Sequence, residues 1–303
     1  MSTAGLQVEP VAVGYIGAFA VAGLSCLFAL SRAREVEADA VRRGLVGLLT
    51  TTSIWALLKV TYFVSPDPIR QTAYTIGLVF GFATVWAWLY FCSAYTGRSY
   101  HEDPTLRVLG GGFFAAVVGV KLTNPIHGLY FETSVRTEPF NYLAIEHGIF
   151  HWTVTGLSYV MAGIGIFMLF ELYHNSGYDT RPLGVLTVFL ALPVTFDIIA
   201  FFTDAVIEVI YAPLGVAMFV LGVLFIYERR FLAIQSAGED DDAVIFLDDE
   251  GRIRDYTPAA REFFPALDDS GGEPLESILP RVAEMTDQET QTLEYEIDGE
   301  TRY

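Results

Sequence analysis

The apolar positions of this chain gather into seven long runs, approximately Val11 to Leu30, Gly44 to Val64, Thr72 to Tyr95, Leu106 to Leu122, Gly148 to Tyr173, Leu183 to Thr203 and Val209 to Tyr227. Most hold about 20 residues, the length an α-helix needs to cross a hydrocarbon core roughly 30 Å thick. The pattern predicts an all-α bundle of seven transmembrane helices over residues 11–230, behind a short N-terminal tail, 1–10. That tail carries no basic segment, so the first run reads as a retained span rather than a cleaved signal peptide.

After Tyr227 the pattern changes. Residues 231–242 form an acidic linker, and Ala243 to Leu247 then reads as a strand of Val, Ile and Phe. Asp248-Asp249-Glu250-Gly251 closes it as a turn, Arg252 to Tyr256 is a second strand, and Pro258 suits the first position of a short helix through Phe264. Thr292 to Ile297 alternates like a strand and Asp298-Gly299 is a hairpin signal, with the returning strand barely begun before Tyr303. The expectation for 243–303 is a small α/β module with an unfinished sheet and an exposed edge, so that it is incomplete, completed by another chain, or only loosely folded.

Charge orients the bundle. Arg32, Arg34, Arg42, Arg43, Arg98, Arg107, Arg181, Arg229 and Arg230 fall on one side if the N-terminus is outside, against Arg70 and Arg136 on the other, with Lys59 and Lys121 near its helix ends. The positive-inside rule therefore predicts a multi-pass cell-membrane protein, N-terminus out and C-terminus in the cytoplasm. From Gln235 onward there are 20 acidic residues and five arginines, so most of the formal charge of −18 belongs to the tail. Such an excess argues against a nucleic-acid partner. Two lysines among 18 basic residues is also a composition that suits solubility in concentrated salt.

An ionisable side chain inside a span is costly and marks a candidate site. The candidates are Lys59, Lys121, Glu171 and Asp197, of which Asp197 lies deepest and follows Pro193, a residue able to bend the helix and open a polar pocket. A structural hydrogen bond to a neighbouring helix is the plainer role for Asp197. His147 and His151, four apart with Glu146 beside them, share a helix face as metal ligands would, although two hydrogen-bonded histidines would look the same. His127 stands in the loop from Thr123 to Glu146, a Pro and Gly-punctuated stretch expected to fold back over the bundle. A retinal protein needs a lysine in its last span, and spans five to seven contain none.

Three short motifs then carry a resemblance: Ile54-Trp55-Ala56, Tyr95-Thr96-Gly97-Arg98 and Thr123-Asn124-Pro125-Ile126-His127. In this order along seven spans, the chain resembles the seven-helix N-terminal sensor region of histidine kinases. Its tail, AVIFLDDEGRIRDYTPAAREFF, is similar to the opening of a PAS domain, with Thr257 where that family usually has asparagine. The resemblance implies a receptor that passes a signal through the seventh helix and the Glu228-Arg229-Arg230 junction to the cytoplasm. Asp197, His127, Asn124 and Lys59 become the ligand-binding candidates, and His147, His151 and Glu146 the metal candidates. The expected partners are a signal ligand, a second copy of the chain, and a cytoplasmic kinase or response regulator. All five histidines precede the tail and no Gly-rich ATP lid follows, so no kinase activity is expected of this sequence. The tail has no His or Cys to hold haem iron, and no cofactor is expected there. The alternatives are a small-solute transporter or channel with a regulatory tail, and a membrane enzyme with metal at His127, His147 and His151.

Overall fold

The computed structural model describes residues 10–36, 38–137, 140–175, 181–203, 207, 209–226, 243, 245–248, 250–256, 258–268, 270–283, 295–297 and 300–302. The chain divides into two compact units, Met1–Glu171 with Thr180–Leu232, and Leu172–Asp179 with Ala233–Tyr303. The first is mainly helical: α1 (Pro10–Ala33), α2 (Asp39–Val64), α3 (Asp67–Tyr95), α4 (Pro104–Leu122), a single turn α5 (Asn124–His127), α6 (Ile149–Asn175), α7 (Arg181–Phe202) and α8 (Ala212–Leu221), the last extended by a π-type turn over Gly222–Ile226. Among the described residues, five helices are long and apolar enough to cross a membrane, α1 to α4 and α6 over Ile149–Leu172, and Ala212–Phe225 is a shorter apolar helix.

Helices run past the apolar windows where polar residues can cap them. Asp103 accepts the N–H groups of Thr105 and Leu106 at 2.7 and 2.9 Å, with Pro104 at the first helical position, so α4 begins two residues before its apolar run. α2 also starts ahead of its apolar run, with Asp39 in its first turn and Arg42 and Arg43 before Gly44, though without a side-chain cap.

α2 is the central helix, packed on α1, α3 and α8. Small residues set these seams. Ser53 Oγ donates to Gly23 O at 2.8 Å between α2 and α1, and a Cβ on Gly44 would come within 2.7 Å of the Phe91 backbone of α3. Lipid does not drive helices together as water does, so close approach and interhelical hydrogen bonds carry such contacts. α4 turns Val108 and Leu109 outward, as a lipid-facing side requires. Among the described residues α6 has no comparable close backbone seam with another helix and meets the bundle through its side chains.

The loop between α4 and α6 folds into an antiparallel hairpin, β1 (Phe131–Arg136) on β2 (Tyr142–His147), with Phe131 opposite His147 and Arg136 opposite Tyr142. It closes one end of the bundle: Tyr130, Phe131, Phe140 and Ile145 share a core with Tyr62, Phe63, Tyr74 and Leu78. Tyr62 donates its hydroxyl to Leu143 O, and Asn124 secures the start of β1.

In the second unit β3 (Ile245–Leu247) pairs antiparallel with β4 (Ile253–Tyr256), followed by α9 (Pro258–Phe263), over a core of Ile253, Ala260, Leu267, Leu275 and Leu279. Asp248 Oδ1 accepts the N–H groups of Glu250 and Arg252, both at 2.9 Å, and Gly251 takes φ 73° in the turn. The Arg252 N–H chiefly, then that of Glu250, holds this carboxyl below its ordinary pKa. A depressed folded-state pKa means the turn is supported above the ordinary carboxylate range and loses that support as pH falls through the lower folded value. We expect the Gly251 amide resonance of the full chain to shift in that acid range, and Asp248→Ala to abolish the shift. β5 (Tyr295–Ile297) pairs antiparallel with the short returning strand β6 (Glu300–Arg302) as its own two-stranded ladder, Tyr295 opposite Arg302 and Ile297 opposite Glu300.

Candidate functional site

Because α6 stands off from the bundle, a cavity of about 390 Å³ opens between it and α3. Trp55 of α2, Phe82 and Trp88 of α3, Val154 and Ile166 of α6 and Val216 of α8 supply apolar wall, and the size suits a small organic ligand. Two glycines shape it. A Cβ on Gly81 would meet the Trp55 indole at 2.7 Å, so glycine there lets that ring lie against α3, while a Cβ on Gly163 meets nothing within 4 Å and faces open space. Trp88 lies between three helices: its Nε1 donates to Ala162 O of α6 at 3.1 Å, and its ring meets Phe219 of α8 edge-on at 4.9 Å.

The hairpin end of the cavity is polar, lined by Lys121, Tyr130 and His151. Lys121 is 2% exposed. Its Nζ donates to Leu78 O at 2.7 Å and lies over the Phe82 and Tyr130 rings, at 4.8 and 5.5 Å. His151 is 4% exposed and packs edge-on against Tyr130 at 5.4 Å. Two buried nitrogens in this wall, Trp55 Nε1 and His151 Nδ1, have no hydrogen-bond partner among the described residues. Unpaired buried polar atoms are costly, so their presence in a cavity wall is an argument for something that binds there.

The residues singled out from the sequence are distributed differently. Lys59 is buried in α2 with Nζ 4.8 Å from the Tyr74 ring centre, Asn124 Oδ1 accepts from Tyr130 N and Phe131 N while its Nδ2 donates to Phe131 O at 2.8 Å, and His127 Nδ1 accepts from Leu129 N at 2.9 Å. None of the three lines the cavity. Asp197 lies on α7, its side chain outside the described residues, as is the Glu228-Arg229-Arg230 junction. His147 and His151 stack at 3.8 Å, and the Tyr74 hydroxyl meets His147 Nε2 at 2.7 Å. Glu146 is exposed and, next to His147 on β2, points to the other face of the hairpin. Among the described residues no group of three or more His, Cys, Asp or Glu is placed to hold a metal ion.

Trp55 entered the sequence reading only within the Ile54-Trp55-Ala56 motif and His151 only as a metal candidate, while Tyr130 and the other α6 residues of the wall are site positions the sequence did not single out. Lys121 was visible as an ionisable group at a span end, and its being one of two lysines in the chain was the available signal. At the far end of the bundle Arg98, in the turn after α3, donates to Glu171 of α6 at 2.6 Å, tying together the two helices that flank the cavity.

Comparison with curated proteins gives no match. The family model described as the N-terminal 7TM region of histidine kinase matches residues 15–234, nearly the whole helical unit. With apolar helices long enough to cross a membrane, the chain is a membrane protein and belongs to the family of N-terminal seven-transmembrane regions of histidine kinases.

Proposed function

We propose that the chain is a membrane signal receptor, the input part of a histidine-kinase-type protein, and that the cavity between α3 and α6 is where its signal acts. In this reading α7 and α8 also cross the membrane, giving seven spans, and the loop arginines set the N-terminus outside and the tail in the cytoplasm. The tail serves as a PAS-like relay, paired with a second copy of the chain and read by a cytoplasmic kinase or response regulator. The observation that carries the proposal is a largely apolar cavity with unpaired buried nitrogens in its wall, inside a region that belongs to a sensor family. The family does not favour the transporter alternative. A ligand moves such a receptor only if it binds two helix arrangements unequally. The cavity touches α3, α6 and α8, so filling it bears directly on how those helices pack.

The test uses single cysteines at 228–230 in a Cys26→Ala/Cys92→Ala background, cross-linked in membrane vesicles with small amphiphiles added. A probe that changes cross-linking in the native cavity should do nothing in Gly163→Leu, because Gly163 lines the cavity and its Cβ position is open, leaving room for the larger side chain to occupy it. A response that persists with the cavity filled would sink the assignment of the signal site.

A further inference from the structure

We infer that the cavity takes an amphipathic anion, a carboxylate on an apolar tail, with the head group at Lys121 and the tail between α3 and α6. The inference rests on the cavity being the signal site and assigns its ligand class. Lys121 is 98% enclosed, yet no carboxylate pairs with it among the described residues; its Nζ meets one carbonyl, Leu78 O, and two aromatic faces. A buried cation ordinarily has a counter-charge. A carbonyl occupies one ammonium proton, which leaves two donors for an incoming oxygen.

His151 supplies an independent observation. It lines the same cavity, packs on the same Tyr130 ring as Lys121, and its Nδ1 has no partner although the residue is 96% enclosed. In the tautomer with hydrogen on Nδ1 it donates, and a carboxylate oxygen is an acceptor that both groups can share. The remaining wall offers no second charge; of its hydroxyls, Thr84 and Ser158 are spent on the Phe80 and Val154 carbonyls of their own helices, and most of the rest is Phe, Val, Ile, Leu, Ala and Trp, a surface for hydrocarbon more than for a sugar or a peptide. The cavity of about 390 Å³ holds one slender tail.

The experiment measures binding of radiolabelled decanoate, decanol and decylammonium to the full chain in nanodiscs of zwitterionic lipid at pH 7, counting only the part lost in Gly163→Leu. Decanoate should bind about tenfold or more tighter than decanol, the worth of a charge-assisted hydrogen bond, and decylammonium weakest. Lys121→Arg should keep that preference and Lys121→Met should erase it. If Lys121→Met does not fold, the order of the three head groups in the native chain still decides. Decanol binding as tightly as decanoate, with both lost in Gly163→Leu, would overturn the anion and leave the cavity as a ligand site. Binding of all three unchanged by Gly163→Leu would overturn the cavity itself.

Discussion

Asn124→Ala should be among the most damaging single substitutions in the helical unit, although it removes no charge and no apolar surface. The side chain is 3% exposed and bonds three main-chain groups at once, the N–H of Tyr130, the N–H of Phe131 and the carbonyl of Phe131. Alanine leaves all three without that partner at the buried entry to β1, and each costs about 1–3 kcal/mol, so a loss of about 3 kcal/mol or more is expected. Tyr130 depends on this anchor, and Tyr130 is the ring shared by Lys121 and His151, so the polar end of the cavity should loosen with it. Thermal unfolding in detergent and limited proteolysis between Thr123 and Gly148 measure the two effects. Ile126→Ala is the control, since that side chain lies in the same turn and is 86% exposed. A melting temperature matching the control would remove Asn124 as the anchor of the hairpin.

The sequence pointed to Asn124 for another reason, as a ligand candidate inside Thr-Asn-Pro-Ile-His. An amide in a loop motif serves either purpose, and which one is settled by a strand that begins seven residues later. The spans themselves were legible because a run of apolar residues must match a fixed hydrocarbon thickness, a constraint that needs no tertiary information. The hairpin was less so. Phe131 to Arg136 alternates only partly and Tyr142 to Ile145 is buried without a break, so neither strand shows the clean period of two that would announce it. His147 and His151 have helical spacing, but α6 begins at Ile149, and their stacking joins a strand end to a first helical turn. The cavity was the least visible feature. Its wall is assembled from six helices and the segments beside them, and nothing in α3 or α6 alone distinguishes Thr84 or Ser158 from ordinary lining of a bundle.

Gly165→Ala should destabilise the unit nearly as strongly, through one methyl group. A Cβ at Gly165 would overlap Trp88 Nε1 and come within 2.8 Å of Cε2, and an indole wedged between three helices has no free end to swing aside. Overpacking of this kind costs about 1–3 kcal/mol. Displacing the ring also strains the bond from Trp88 Nε1 to Ala162 O, worth about 1 kcal/mol. The consequence reaches α8, because the same ring meets Phe219 edge-on, so the substitution should weaken the contact that links the cavity wall to the last helix of the bundle. Gly163→Ala, two residues away with open space around its Cβ, should be near neutral. A double-mutant cycle with Trp88→Phe separates this mechanism from a general loss of helix packing. The smaller ring should recover much of the cost of Gly165→Ala, giving a coupling of about 1 kcal/mol or more between contacting residues. Additive effects would mean that the methyl group strains something other than Trp88, and the route from cavity to α8 would have to run through a different side chain.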